Sequence, residues 1–165
     1  MSAISTPKDW FDYTSALTPV FIALFVAFIA YRQWRVAREK LRLDLYNKRF
    51  TIFEVTLNFY QQLLDGRNIS AEEMQSLHRK YIGAMIESKF LFSPSTNVYE
   101  LMKEFNKSAF VIKGSRDVLK TQGIPPELFT QTQKKLTDEQ IVLEAKLSSI
   151  EAAISKYLYF GAIGK

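Results

Sequence analysis

The chain has 165 residues, 14% of them aromatic and 47% hydrophobic, with a net charge of +5. It has no cysteine, which excludes disulfides, thiol nucleophiles and cysteine metal sites, and its single histidine, His78, excludes a histidine-based metal cluster. The charge is local. Residues 32–49 carry a net +5, whereas residues 50–165 hold 14 basic and 13 acidic side chains, a net of only +1. Such placement weighs against nucleic acid as a partner and points to contact with anionic lipid, worth about 1 kcal/mol per basic residue near a membrane surface.

The first element is an uncharged run. No Asp, Glu, Lys, Arg or His occurs between Asp12 and Arg32. A helix rises about 1.5 Å per residue and the hydrocarbon core is about 30 Å thick, so roughly 20 residues are needed to cross it. Residues 13–31 are expected to form a transmembrane helix, at the short end of that range. Trp10, Phe11 and Tyr13 precede the run, and Tyr31 and Trp34 follow it, matching the preference of amphipathic rings for the headgroup level. Both faces of Val20–Ala30 are apolar, which a soluble domain of this size rarely needs. A cleavable signal peptide needs positive charge before its apolar run; here the charge follows it.

Pro19 leaves two readings of this helix. Thr18 and Pro19 form one plausible helix start. The favoured reading is a kinked helix beginning near Asp9, because membrane helices tolerate proline.

Orientation follows from charge. Arg32, Arg35, Arg38, Lys40, Arg42, Lys48 and Arg49 lie after the run, opposed only by Glu39 and Asp44. Lys and Arg near a span stay on the cytoplasmic side. The expectation is therefore an inner-membrane, single-pass protein: residues 1–12 outside, residues 32–165 a cytoplasmic helical bundle. Trp10, Tyr31, Arg32, Trp34, Arg35, Arg38 and Arg42 are the residues expected to touch lipid headgroups.

The soluble helices are expected at about 32–65, 71–92, 97–121 and 127–160. In the first, Leu43, Tyr46, Phe50, Phe53, Leu57, Tyr60 and Leu64 recur at spacings of 3 and 4. Leu45, Ile52, Phe59 and Leu63 form a second stripe, as suits a helix with several neighbours. Gly66 supplies the stop. Ser70-Ala-Glu-Glu73 is a capping box that opens the second helix, with Met74, Leu77, Tyr81, Met85 and Ile86 as its buried face. Ser93-Pro94 closes it. Thr96 or Asn97 caps the third, whose stripe is Val98, Leu101, Met102, Phe105, Ala109 and Ile112. After Gly123-Ile-Pro-Pro126, the fourth repeats Leu136, Gln140, Leu143, Leu147, Ile150, Ile154 and Tyr157. Short loops make successive helices antiparallel. The fold class is thus all-α: one membrane helix continuous with an antiparallel up-down four-helix bundle. Phe90–Phe92 and Tyr157–Phe160 should both end near the bilayer, where lipid, the basic collar, a second protomer or ordinary core contacts are the options.

Chemistry is absent from the motifs. There is no glycine-rich phosphate loop, HExxH, GxSxG or calcium loop. Glu72-Glu73 and Asp138-Glu139 are solvated acids of helix starts. His78-Arg79 reads as a surface pair. Membrane-tethered bundles of bacterial defence resemble HEPN ribonucleases, whose motif has an Arg four to six residues before a His. Ala71, Glu72 and Glu73 hold those places here, so the motif is missing.

The segments LRLDLYNKRFTIFE (Leu41–Glu54) and SKFLF (Ser88–Phe92) resemble small bacterial proteins with one N-terminal membrane helix and a cytoplasmic helical region. The resemblance spans about two-thirds of the chain and implies the same plan, with no functional residues to carry over. More loosely, the layout is similar to the membrane accessory protein of type VI-B CRISPR systems, which implies a pore-forming ring. The function expected is a non-enzymatic, membrane-anchored interaction module without cofactor or metal, oligomeric with itself and bound to an unknown protein partner. The alternative is an oligomeric pore or membrane-disrupting effector, with Thr14, Ser15 and Thr18 facing a lumen. A divergent ribonuclease is the distant third.

Overall fold

The computed structural model describes residues 10–65 and 69–159, and of residues 10–17 the backbone only. All the elements among the described residues are helical. They are α1 (Trp10–Asp65), α2 (Ala71–Leu91), a 3-10 turn at Pro94–Thr96, α3 (Val98–Leu119) and α4 (Pro126–Leu158). Two compact units make up the chain, Met1–Leu43 and Asp44–Lys165. Gly66, Phe160 and the tail lie outside the described residues, as do residues 1–9 of the expected outer segment.

In the first unit, α1 runs through Pro19, so Thr18-Pro19 is not a helix start. The apolar side chains that follow are turned outward on every side. Phe21 is 67% exposed, Phe25 65% and Phe28 60%. None of the apolar window is buried, and α1 is long and apolar enough to cross a membrane.

In the second unit, a buried core is built from all four helices: Ile52, Phe59 and Leu63 of α1, Tyr81 of α2, Met102, Phe105 and Ile112 of α3, Leu143, Ile150 and Ile154 of α4. The stripe of α1 differs from the expected one. Leu43 and Phe50 are exposed, and Phe53, Leu57, Tyr60 and Leu64 are only half-buried. The line that faces the core is Leu45, Arg49, Ile52, Thr56, Phe59 and Leu63, also spaced 4, 3, 4, 3, 4. Two polar members hid it. Thr56 is fully buried, and its hydroxyl donates to the Ile52 carbonyl at 2.8 Å, so only its methyl needs an apolar neighbour.

Helix α2 starts as its sequence requires. The Ser70 hydroxyl accepts from the Glu73 N–H at 3.2 Å, and Glu73 Oε2 accepts from the Ser70 N–H at 3.1 Å. Its core face is shifted: Ile86 is exposed, while Ala84 and Ser88 are buried beside Tyr81. The Tyr81 hydroxyl on this face donates to the Met102 carbonyl of α3 at 2.6 Å. Helix α3 passes through Gly114 to Leu119. Asn97 precedes it in the left-handed conformation, with φ 51°, but its side chain makes no cap hydrogen bond. Along α4 the expected seam is in place, with Leu143, Leu147, Ile150 and Ile154 all buried.

Long basic side chains tie the helices together through carbonyl oxygens. The Arg116 guanidinium donates to the carbonyls of Leu63 and, at 3.0 Å, Leu64, groups that the end of α1 leaves without intrahelical partners. Lys146 of α4 donates to the Glu104 carbonyl at 3.0 Å and to the buried Ser108 hydroxyl at 2.7 Å. Arg116→Lys keeps the charge but loses the planar fork. It should lower unfolding stability by about 1–3 kcal/mol, read by urea denaturation of the second unit's core.

Candidate membrane-facing segment and basic collar

The collar is built on α1 within the first unit. Tyr31 and Trp34, 59% and 57% exposed, stand with ring centroids 6.1 Å apart. The Arg38 guanidinium lies 5.6 Å from the Trp34 ring centroid, within cation–π range. Arg35 Nε reaches Glu39 Oε1 at 3.4 Å, with both side chains about two-thirds exposed; a pair this open contributes little. Arg32 is exposed and Arg42 half-buried. Trp10 lies in the first turn of α1, where only the backbone is described. The structure thus joins Tyr31 to Trp34 and Trp34 to Arg38, and pairs Arg35 with Glu39.

Arg49, the last cation of the basic run, does something else. It sits in the core-facing line of α1. Its Nε donates to the Leu91 carbonyl at 2.9 Å, and its guanidinium lies 4.7 Å from the Tyr157 ring centroid and 5.9 Å from that of Phe92. Phe92 meets Tyr157 edge-on at 5.3 Å, and the Ser93 N–H donates to the Tyr157 hydroxyl at 3.2 Å. One residue of each expected aromatic end, Phe92 and Tyr157, therefore docks on the basic run itself. Phe90 and Tyr159, 84% and 73% exposed, point away. The register of Arg49 with Ile52 and Thr56 was the sequence signal for this role.

The two tyrosines of the core and this junction titrate in opposite directions. Hydrogen bonds from Thr96 and Ser93, with the Arg49 charge, hold the Tyr157 phenol below the ordinary tyrosine range. Burial drives that of Tyr81 far above it. The folded state therefore keeps the Tyr81 proton more tightly than the unfolded chain. That stability is complete below pH about 10 and is lost as pH rises above it. An alkaline spectrophotometric titration should show one phenol ionising early, removed by Tyr157→Phe. A late one should appear only with unfolding, removed by Tyr81→Phe.

His78 is not the surface residue its neighbours in sequence imply. Its ring stacks on Phe59 at 5.6 Å and meets Phe110 edge-on at 5.1 Å, and Nε2 lies 3.0 Å from Asn106 Oδ1. A small cleft of about 30 Å³ beside it is lined by Phe59, Leu63, Met74, Ala109, Phe110 and Lys113. These side chains include no carboxylate or hydroxyl to work with the imidazole. Among the described residues, no three His, Asp or Glu side chains are grouped to hold a metal.

No protein-family model, curated protein or solved structure matches the chain.

Proposed function

We propose that the protein is a single-pass anchor of the inner membrane, with its N-terminus outside and a cytoplasmic up-down antiparallel bundle that works by binding other proteins. It needs no chemistry, cofactor or metal of its own, and it assembles with copies of itself and with a further protein partner. The observation that carries this reading is the outward display of every large apolar side chain from Val20 to Phe28, followed directly by arginines. In water such a surface is strongly unfavourable, at about 25 cal/mol per Å² of apolar area; in lipid it is the expected one. Contact order supports the antiparallel bundle. Along α1, Arg49 meets the end of α2 at Leu91, whereas Phe59 meets His78 and Tyr81 earlier in α2. Helix α3 runs the other way, with Phe105 at Phe59 and Arg116 at Leu63. This is the plan implied by the resemblance to small bacterial membrane proteins.

The test is fractionation of cells expressing the full-length chain. It is expected to stay with membranes through alkaline carbonate, and a reporter fused at the C-terminus should be active in the cytoplasm only. Release by carbonate, or a C-terminal reporter active outside, refutes the reading. The pore alternative draws on an open apolar strip along the span, at Thr18, Pro19, Ile22, Ala23, Val26 and Ala27, where small side chains permit a second helix to approach. Mass measurement in detergent and dye release from vesicles separate the two: a closed ring that makes vesicles leak dye favours the pore, an assembly that leaves them sealed favours the interaction module, and a strict monomer eliminates the pore and the self-assembly of the module alike.

A further inference from the structure

The collar's charge is one-sided. At 3.6 residues per turn, Tyr31, Trp34, Arg35, Arg38 and Arg42 fall within an arc of about 100°, and Lys40 lies on the opposite side. From Arg35 to Arg42 is about 10 Å of helix axis. We propose that this face is a binding site for the phosphodiester headgroup of anionic phospholipid, gripped by Arg35, Arg38 and Arg42 beside the Tyr31–Trp34 rings. The proposal rests on the membrane reading above and goes further, because a topology signal or a diffuse collar needs charge but no particular face.

Four features carry it. Every cation on the face is arginine, whose rigid fork matches phosphate oxygens two at a time, whereas lysine acts as a point charge. Arg38 is held against the Trp34 indole, 5.6 Å from its centroid, so part of the ordering cost of binding is met before the ligand arrives. Glu39, on the edge of the face, is the carboxylate paired with Arg35, and an exposed pair of that kind yields readily to a phosphate. Finally, the exposed Phe28 and Tyr31 adjoin the cations in sequence, offering acyl chains an apolar contact that free phosphate cannot use. Lipid is therefore the committed source.

The experiment uses the full-length chain carrying Trp10→Phe, so that Trp34 is the one remaining indole. In neutral detergent micelles it is titrated with phosphatidylglycerol, and separately with inorganic phosphate, while Trp34 emission is followed. A saturable shift with the lipid, and none with phosphate over the same range, is expected. Arg35→Lys with Arg38→Lys preserves net charge and should weaken the apparent affinity by about tenfold. Lys40→Gln removes a charge on the opposite side of the helix and should weaken it by less than about fivefold, the diffuse contribution of one basic residue. Equal weakening by Lys40→Gln and by the lysine pair, no effect of the lysine pair, no saturable response, or an equal response to phosphate overturns the site. Carbonate extraction reports separately on the membrane reading, because the titration in micelles does not depend on how the chain partitions in cells.

Discussion

Replacing Phe25 with arginine is expected to empty the membrane fraction of this protein. Phe25 stands 65% exposed in the middle of the apolar run. An arginine at the centre of a membrane helix costs about 2.5–3.5 kcal/mol on insertion scales, enough to lower insertion by about a hundredfold. A marginal span of about 19 residues has little surplus apolar area to offset that. The variant should appear in the soluble fraction or be degraded, read by quantitative blotting of fractionated cells. Val36→Arg, also exposed but within the basic run, should leave the distribution unchanged. If Phe25→Arg stays with membranes as fully as the parent, the run is not solvated by lipid, and the anchor and the headgroup site fall with it.

The second large effect is expected at Phe105. Its side chain is fully buried, with its ring 5.5 Å from Tyr81, 6.4 Å from Phe59 and 6.5 Å from Tyr60. It is the place where α1, α2 and α3 share one aromatic cluster. Phe105→Ala removes most of that volume, and a phenylalanine truncation of this kind costs about 3–5 kcal/mol, as lost transfer energy plus the cavity left behind. A small domain is stable by only about 5–15 kcal/mol, so the urea midpoint should fall by about a fifth or more. Phe90→Ala is the matched control. Phe90 is 84% exposed, and its loss should move the midpoint within experimental scatter. A small effect at Phe105 would mean that the aromatic cluster does not hold the helices together.

How much of this was legible varies from helix to helix, for identifiable reasons. In α4 the buried seam is uniformly aliphatic from Leu143 to Ile154, so period alone locates it. In α1 two heptad lines compete. The more apolar one, through Phe50, Phe53 and Leu57, is the flank, because Thr56 and Arg49 occupy the core-facing line and satisfy their polar atoms locally or across the bundle. In α2, Ala84 and Ser88 carry no hydrophobic signal, yet they are buried. Burial of such small residues depends on which side of α2 the rest of the bundle covers, which no single-helix pattern records. The adjacent Arg79 makes His78 read as one of a surface pair. His78 is half-buried, and its ring contacts come from Phe59 and Phe110, residues of two other helices.

The candidate site divides in the same way. Its location and sign of charge follow from the one-dimensional order of residues: an uncharged run of fixed length, aromatic ends, then arginines. Length against bilayer thickness and charge against lipid are properties of a linear segment, and a linear string carries them. The contacts of Arg38 with Trp34, of Arg49 with Tyr157 and Leu91, and of Arg116 with the end of α1 are of another kind. They depend on rotamers and on helices distant in the chain meeting at a few ångströms. Which arginine stays exposed and which one clasps the bundle is therefore decided by packing, since the same residue type fills both places.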